Sequence, residues 1–219
     1  DLIRSGEIGE PKLFASTFSF QSAAGNHRLL AEHWGGPLQD IGVYCLNAAR
    51  HCLGGEPTEV SAMKVHGNGD ARFREVEGSM AVTMRFPKDR LAQFVISFES
   101  DDTDTYRIIG TEGVITVEEC YDFHFNPRIW VSKGREVREI EVPDTDHFAG
   151  QTAYFSDCIL SGKRPVPDGE EGLADVRALL AIEAAAKTGQ AQSVESPNRD
   201  NHPDQDCVRI LPRTDRRVV

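Results

Sequence analysis

No apolar run in the sequence approaches the ~18–20 residues a bilayer-spanning helix needs, and no basic-flanked apolar leader opens it. The expectation is a cytoplasmic chain, with any export signal lying before its first residue. That residue is Asp1, and without an initiator Met the expectation is a fragment or a trimmed product. Cationic charge is scarce as well: 24 Lys and Arg stand against 35 Asp and Glu, for a formal net charge of −11. A surface of that sign repels a phosphate backbone and an anionic headgroup, so neither nucleic acid nor membrane is an expected partner. Cysteine is limited to Cys45, Cys52, Cys120, Cys158 and Cys207, an odd count with no Cys-x-x-Cys. The seven His are scattered without a metal-ligand spacing. Reduced thiols and no metal are the expectations, with Cys45 and Cys52 acting as small core hydrophobes.

What is present suffices for a core, since 39% of the 219 residues are apolar. Lys12 to Phe20 alternates, with Phe14, Phe18 and Phe20 on one face, and predicts a first strand. Further strand patterns cover Glu59–His66, Ser79–Phe86, Leu91–Phe98, Thr105–Ile109, Gly113–Val117, Arg128–Ser132 and Val137–Val142. Turn residues separate them at Pro87-Lys88-Asp89, Gly110-Thr111-Glu112-Gly113 and Lys133-Gly134. Strands so closely spaced, without helical crossovers, pair as antiparallel hairpins.

Three helices flank the strands. The first is predicted over about Pro37–Leu53, with Pro at its opening and Gly54-Gly55 at its end. The second covers about His147–Leu160, where Phe148, Thr152, Phe155 and Ile159 should pack on the sheet. The third covers about Glu170–Thr188 and should bury Leu173, Val176, Leu180 and Ala184. The fold class is therefore α+β: an open, mainly antiparallel (mixed) sheet with helices on one face. Residues 1–11 read as the end of a linking helix and a turn, 12–192 as the domain, and 193–219 as a polar tail, poorly ordered or docking. The sheet positions Val82, Met84, Phe94, Ile96 and Phe98 suggest an apolar face for a subunit contact, giving a homodimer or higher assembly.

The first helix has an unusual second face. Leu38, Ile41, Cys45 and Cys52 follow a buried stripe, while Asp40, Tyr44, Asn47 and His51 fall on one ridge at helical spacing. Such a ridge is either a solvated face or a ligand-holding one. A solvated face usually carries Lys and Glu, whereas a carboxylate, a phenol, an amide and an imidazole suit a polyhydroxylated ligand and proton transfer. Upstream, Arg28 and Trp34-Gly35-Gly36 lead into the helix; the glycines serve a turn or a close ligand approach, with Gly36 the candidate for a cofactor edge.

Taken as one phrase, Gly-Gly-Pro-Leu-Gln-Asp-Ile-Gly-Val-Tyr-Cys-Leu-Asn-Ala-Ala-Arg (35–50) resembles the signature helix of the Gfo/Idh/MocA oxidoreductases, with Asp-x-Gly-x-Tyr-x-x-Asn as its specific part. Residues 71–77, the strand ending Met84-Arg85-Phe86, and 169–189 are similar to the glucose-fructose oxidoreductase branch, and the resemblance runs to about Gln192. It implies that 12–192 is the C-terminal substrate and oligomerisation domain of an NAD(P)-dependent oxidoreductase acting on a sugar, polyol or related secondary alcohol. Tyr44 would be the proton donor or acceptor, Asp40 would orient the sugar or tune Tyr44, and Arg28, Trp34, Asn47 and His51 would hold substrate. A phenol ordinarily titrates near ~10 and needs a neighbouring cation to work near neutrality. The family takes that cation, a Lys in Glu-Lys-Pro, from its Rossmann domain. This chain has no Glu-Lys-Pro and no Gly-x-Gly-x-x-Gly after a strand, so the Rossmann domain is absent from it. NAD or NADP belongs to the full-length parent, and the chain alone should bind neither and be inactive. Two other readings are an oligomerisation module and a carbohydrate-binding module without catalysis.

Overall fold

The computed structural model describes residues 1–195 and 202–213. Among the described residues nine strands form one mixed sheet in the order β8-β7-β6-β5-β1-β4-β3-β2-β9. They are β1 (Pro11–Ser19), β2 (Glu59–Val65), β3 (Ser79–Phe86), β4 (Arg90–Ser97), β5 (Thr103–Gly110), β6 (Val114–Glu118), β7 (Arg128–Lys133), β8 (Glu136–Ile140) and β9 (Gln192–Ser193). Only β1 and β4 pair in parallel; every other neighbouring pair is antiparallel. The expected α+β class and its largely antiparallel sheet are thus what the chain forms. Strict alternation is the cause: Met80, Val82, Met84 and Phe86 of β3 and Ala92, Phe94 and Ile96 of β4 all point to one face and are buried.

That face is covered from within the chain. The signature helix lies over β1 and β4, and a long C-terminal helix lies over β2. Leu38, Ile41, Cys45, Leu46 and Ala49 meet Phe14, Phe94 and Ile96 in the core. Each fully buried side chain of this size contributes about 1.5–3 kcal/mol, so this layer dominates the fold's stability. Val82, Met84, Phe94, Ile96 and Phe98 are therefore core residues, which corrects their reading as a subunit contact. They alternate as an exposed apolar face would, but the signature helix occupies them. The opposite face is the open one, and exposes Leu13, Met63, Leu91 and Val95.

The helices depart from expectation in three places. The first helical segment begins as a wide π turn, Leu38–Gly42, before continuing as α1 (Val43–Leu53). A Cβ on Gly42 would stand 2.9 Å from Ile96 Cδ1 and 3.0 Å from Leu38 Cδ1, so glycine permits the wide turn to lie against β4. Helix α2 (His147–Ser161) carries its apolar stripe outward, with Phe148, Phe155 and Ile159 all more than half exposed. The periodicity is real, but the stripe does not pack on the sheet. The Phe148 ring meets Phe123 edge-on at 5.4 Å, and at the cap of α2 the Asp146 N–H bonds the Leu211 carbonyl at 2.8 Å. Helix α3 (Gly169–Thr188) buries Ala174, Ala178, Leu179, Ile182 and Ala185, while Leu173, Val176 and Leu180 are exposed. The alanines allow the close approach to β2, with Leu179 and Ile182 as the large residues buried on that side.

Residues 1–10 form consecutive turns, with Ser5 N–H bonded to the Asp1 carbonyl at 2.8 Å, and seat Ile8 fully in the core. Beyond 192, Val194 N–H bonds the Thr58 carbonyl at 3.0 Å, extending the contact of β9 with β2. The rest of the expected tail at 196–201 and 214–219 lies outside the described residues.

Candidate active site

The site is assembled where the π turn meets α1. Asn26 Oδ1 accepts from Arg28 N–H at 3.0 Å, closing a short turn that brings the guanidinium toward the helix. Arg28 Nε then donates to Asp40 Oδ1 at 2.8 Å. Behind this pair, the backbone of 28–30 presses on Gly35, whose absent Cβ would fall 2.4 Å from the Arg28 carbonyl oxygen. Gly36 N–H donates to the same carbonyl at 2.8 Å, so that group is taken up by the loop itself. The Gly-Gly pair thus serves the close packing of the loop that carries Arg28.

Tyr44 follows Asp40 by four residues across the junction of the π and α segments. Its ring stands edge-on to Phe18 of β1, with centroids 5.8 Å apart, and 6.0 Å from Tyr121. Phe18 in turn stacks on Tyr121 at 5.1 Å. These groups wall a cavity of about 700 Å³ that also contains Phe20, Asp102, Asp104, Glu119, Asp122 and His124. Arg28, Asp40 and Tyr44, named from sequence, therefore share one cavity.

The two tyrosines of this wall differ in availability. Ser16 has one hydroxyl hydrogen and gives it to the Thr105 carbonyl at 2.8 Å, so the Tyr121 hydroxyl donates to Ser16 Oγ at 2.8 Å. Burial pushes the Tyr121 phenol far above its ordinary range. Tyr121 is a fixed wall. Tyr44 is half-exposed, with its ring open to the cavity. Asp104 sits beside the same wall, its Oδ2 accepting from the Tyr121 and Asp122 N–H groups at 3.0 and 2.9 Å. Burial raises its pKa, and those two hydrogen bonds offset part of the rise.

The other expected site residues lie elsewhere. Asn47 Nδ2 donates to Asp175 Oδ2 at 3.1 Å, at the seam with α3. His51 is exposed one turn further, and with Asn47 borders a separate hollow of about 430 Å³ beside the chain's first residues and His202. Both also touch another hollow of about 450 Å³ that reaches Tyr44. Trp34 takes a left-handed backbone conformation (φ 52°) and donates Nε1–H to Glu183 Oε1 of α3 at 2.9 Å, outside the Tyr44 cavity. Sequence reasoning missed Tyr121, Asp104 and their neighbours. The run Tyr121-Asp-Phe-His-Phe125, aromatic and titratable between two strands, was the available signal.

The starts of α2 and α3 offer no bare N–H groups to a pyrophosphate, being capped by Asp146 and Asp168, and α3 adds Glu170 and Glu171 in its first turn. Among the described residues no group of three or more His, Cys, Asp or Glu could hold a metal ion, and no helix is long and apolar enough to cross a membrane.

An open mixed sheet with a helix-borne Tyr and Asp beside an aromatic, carboxylate-rich cavity defines an α+β ligand-handling domain. Comparison supplies the family: residues 1–116 match the GFO/IDH/MocA C-terminal domain, and the chain belongs to that family. It is 28% identical over 198 residues to D-xylose 1-dehydrogenase (NADP(+)) 2 of Haloferax volcanii, covering 87% of this chain and 58% of that protein. Among solved structures it is similar to aldose-aldose oxidoreductase from Caulobacter crescentus complexed with glycerol (TM-score 0.83, 30% identity, 88% of this chain and 58% of that one). It is also similar to the 3-ketoreductase KijD10 from Actinomadura kijaniata in complex with NADP and TDP-benzene (TM-score 0.76, 26% identity, 84% and 57%). The chain thus spans rather more than half the length of these relatives and matches their C-terminal part.

Proposed function

We propose that this chain is the substrate-binding and proton-handling part of an NAD(P)-dependent oxidoreductase acting on a sugar, polyol or related secondary alcohol. The observation that carries the reading is the Arg28–Asp40–Tyr44 constellation, which gives a half-exposed phenol an ion pair beside it and a polar cavity in front. Carboxylates accept from sugar hydroxyls, aromatic faces pack on the C–H faces of the ring, and Tyr44 holds or moves the proton at the reacting oxygen. Asp40, fixed by Arg28, orients the sugar or tunes Tyr44. Asn47 and His51 support the helix or a distal part of the ligand, and Trp34 the loop that shapes the entrance. The hydride chemistry is that of NAD or NADP, bound by a Rossmann segment outside this chain. The names of the relatives, which include an NADP-dependent xylose dehydrogenase, agree with this assignment. The outward apolar stripes of α2 and α3 are a suitable seat for that segment.

The test is nucleotide reduction followed optically in the full-length enzyme and in the 219-residue chain, each mixed with NAD or NADP and a panel of aldoses and polyols. The expected result is sugar-dependent reduction by the full-length enzyme and none by the chain alone. Turnover by the isolated chain would mean that its cofactor site has been misplaced. Sugar binding with no turnover by the full-length enzyme would favour a carbohydrate-binding module.

A further inference from the structure

We propose that the Tyr44 cavity selects free, uncharged sugars and rejects phosphorylated, nucleotide-linked and carboxylated ones. The proposal deepens the oxidoreductase reading above and rests on it. The relatives handle both chemistries, one named for free D-xylose and another crystallised with TDP-benzene, so family membership does not choose between them. The cavity wall does. Within this chain Asp40, Asp102, Asp104, Glu119 and Asp122 line it against one lining Arg, Arg28, whose Nε–H goes to Asp40 at 2.8 Å, while Arg128 reaches Glu119 from outside the cavity at 3.6 Å. Asp104 cannot swing away, because two backbone N–H groups hold its Oδ2.

Ionised carboxylates are acceptors only, so the groups they recruit must be donors, which sugar hydroxyls are and phosphate oxygens are not. An anion entering here meets like charge in a recess walled on one side by the rings of Phe18, Phe20 and Tyr121. The same rings offer flat apolar faces to the C–H side of a pyranose or furanose. Both halves of the wall therefore favour a neutral polyhydroxylated ring.

The experiment is a comparison of kcat/KM in the full-length enzyme for D-xylose, D-glucose, D-glucose 6-phosphate, D-glucuronate and dTDP-glucose. At low salt the neutral sugars should exceed the anionic ones by at least about tenfold. Raising NaCl from about 0.05 to about 0.5 M should narrow that gap, since the rejection is electrostatic. Equal or better use of a phosphorylated or nucleotide-linked sugar would overturn the inference while leaving the oxidoreductase reading intact. Turnover of no substrate would overturn both. The variant carrying Asp102→Asn and Glu119→Gln supplies a second readout: the ratio of glucose 6-phosphate to glucose kcat/KM should rise at least about threefold. A ratio unchanged in a folded variant shows that these carboxylates do not set the preference.

Discussion

Arg50 shows how a single side chain can matter to the site without touching it. It is almost fully buried, forks onto Glu56 through Nε and Nη2 at 2.6 and 2.7 Å, and reaches Asp175 and Glu171 through Nη1 at 2.6 and 2.8 Å. Asp175 also holds Asn47, so one network fixes α1 to α3 along the helix that carries Tyr44. A buried ion cluster need not be more stable than an apolar one, but removing its cation strands the opposing charges. Arg50→Met should therefore cost about 3–5 kcal/mol in urea unfolding. Arg128→Met, at the exposed pair with Glu118, should cost about 1 kcal/mol or less. Equal costs would show that the network contributes nothing special. In the sequence Arg50 was only the last letter of the signature phrase, because its partners come from Glu56 and from a helix far downstream. Arg28, Asp40 and Tyr44 were legible because one phrase and its approach loop contain them. Tyr121 and Asp104 join them only through the β1–β5–β6 pairing, which local patterns cannot place.

Among the elements, strands were read more faithfully than helices. A strand's period of two leaves only two faces, and the alternation of β3 and β4 fixed which residues pair, though not which face α1 would cover. A helix's phase is less constrained when small and large residues compete for the interface. In α3 the large residues Leu173, Val176 and Leu180 suggested the wrong side, because Ala174, Ala178 and Ala185 allow the helix to approach β2 closely around Ile182. Ile182→Ala should lower unfolding free energy by about 2–4 kcal/mol, as for a buried aliphatic, whereas Leu180→Ala should cost less than about 1 kcal/mol. The reverse order in denaturant titrations would mean that α3 is rotated. The π turn was not legible at all. Its sequence is helical in pattern, and only the closeness of Gly42 to Ile96 reveals the reason for the wider winding.

At the scale of the whole molecule, a sheet covered by α1 and α3 on one side leaves its other side to be solvated or shared. Leu13, Leu91, Val95 and Met63 are exposed on that side, and we propose that a second copy covers them. Light scattering at high concentration should give at least a dimer for the chain, and Val95→Lys should shift it to monomer; a wild-type monomer contradicts the proposal. The apolar stripes of α2 and α3 are exposed as well. The proposed function turns on one phenol, and its most direct measurement is the turnover of Tyr44→Phe in the full-length enzyme beside its melting temperature. Phe keeps the ring against Phe18 and Tyr121 and removes only the hydroxyl. The predicted result is a loss of about 10²- to 10⁴-fold in kcat with little change in melting temperature, the size of a lost general acid-base group. Near-normal turnover with its preferred sugar would contradict the proton-transfer role of Tyr44 and pass it to Asp40, which shares the cavity.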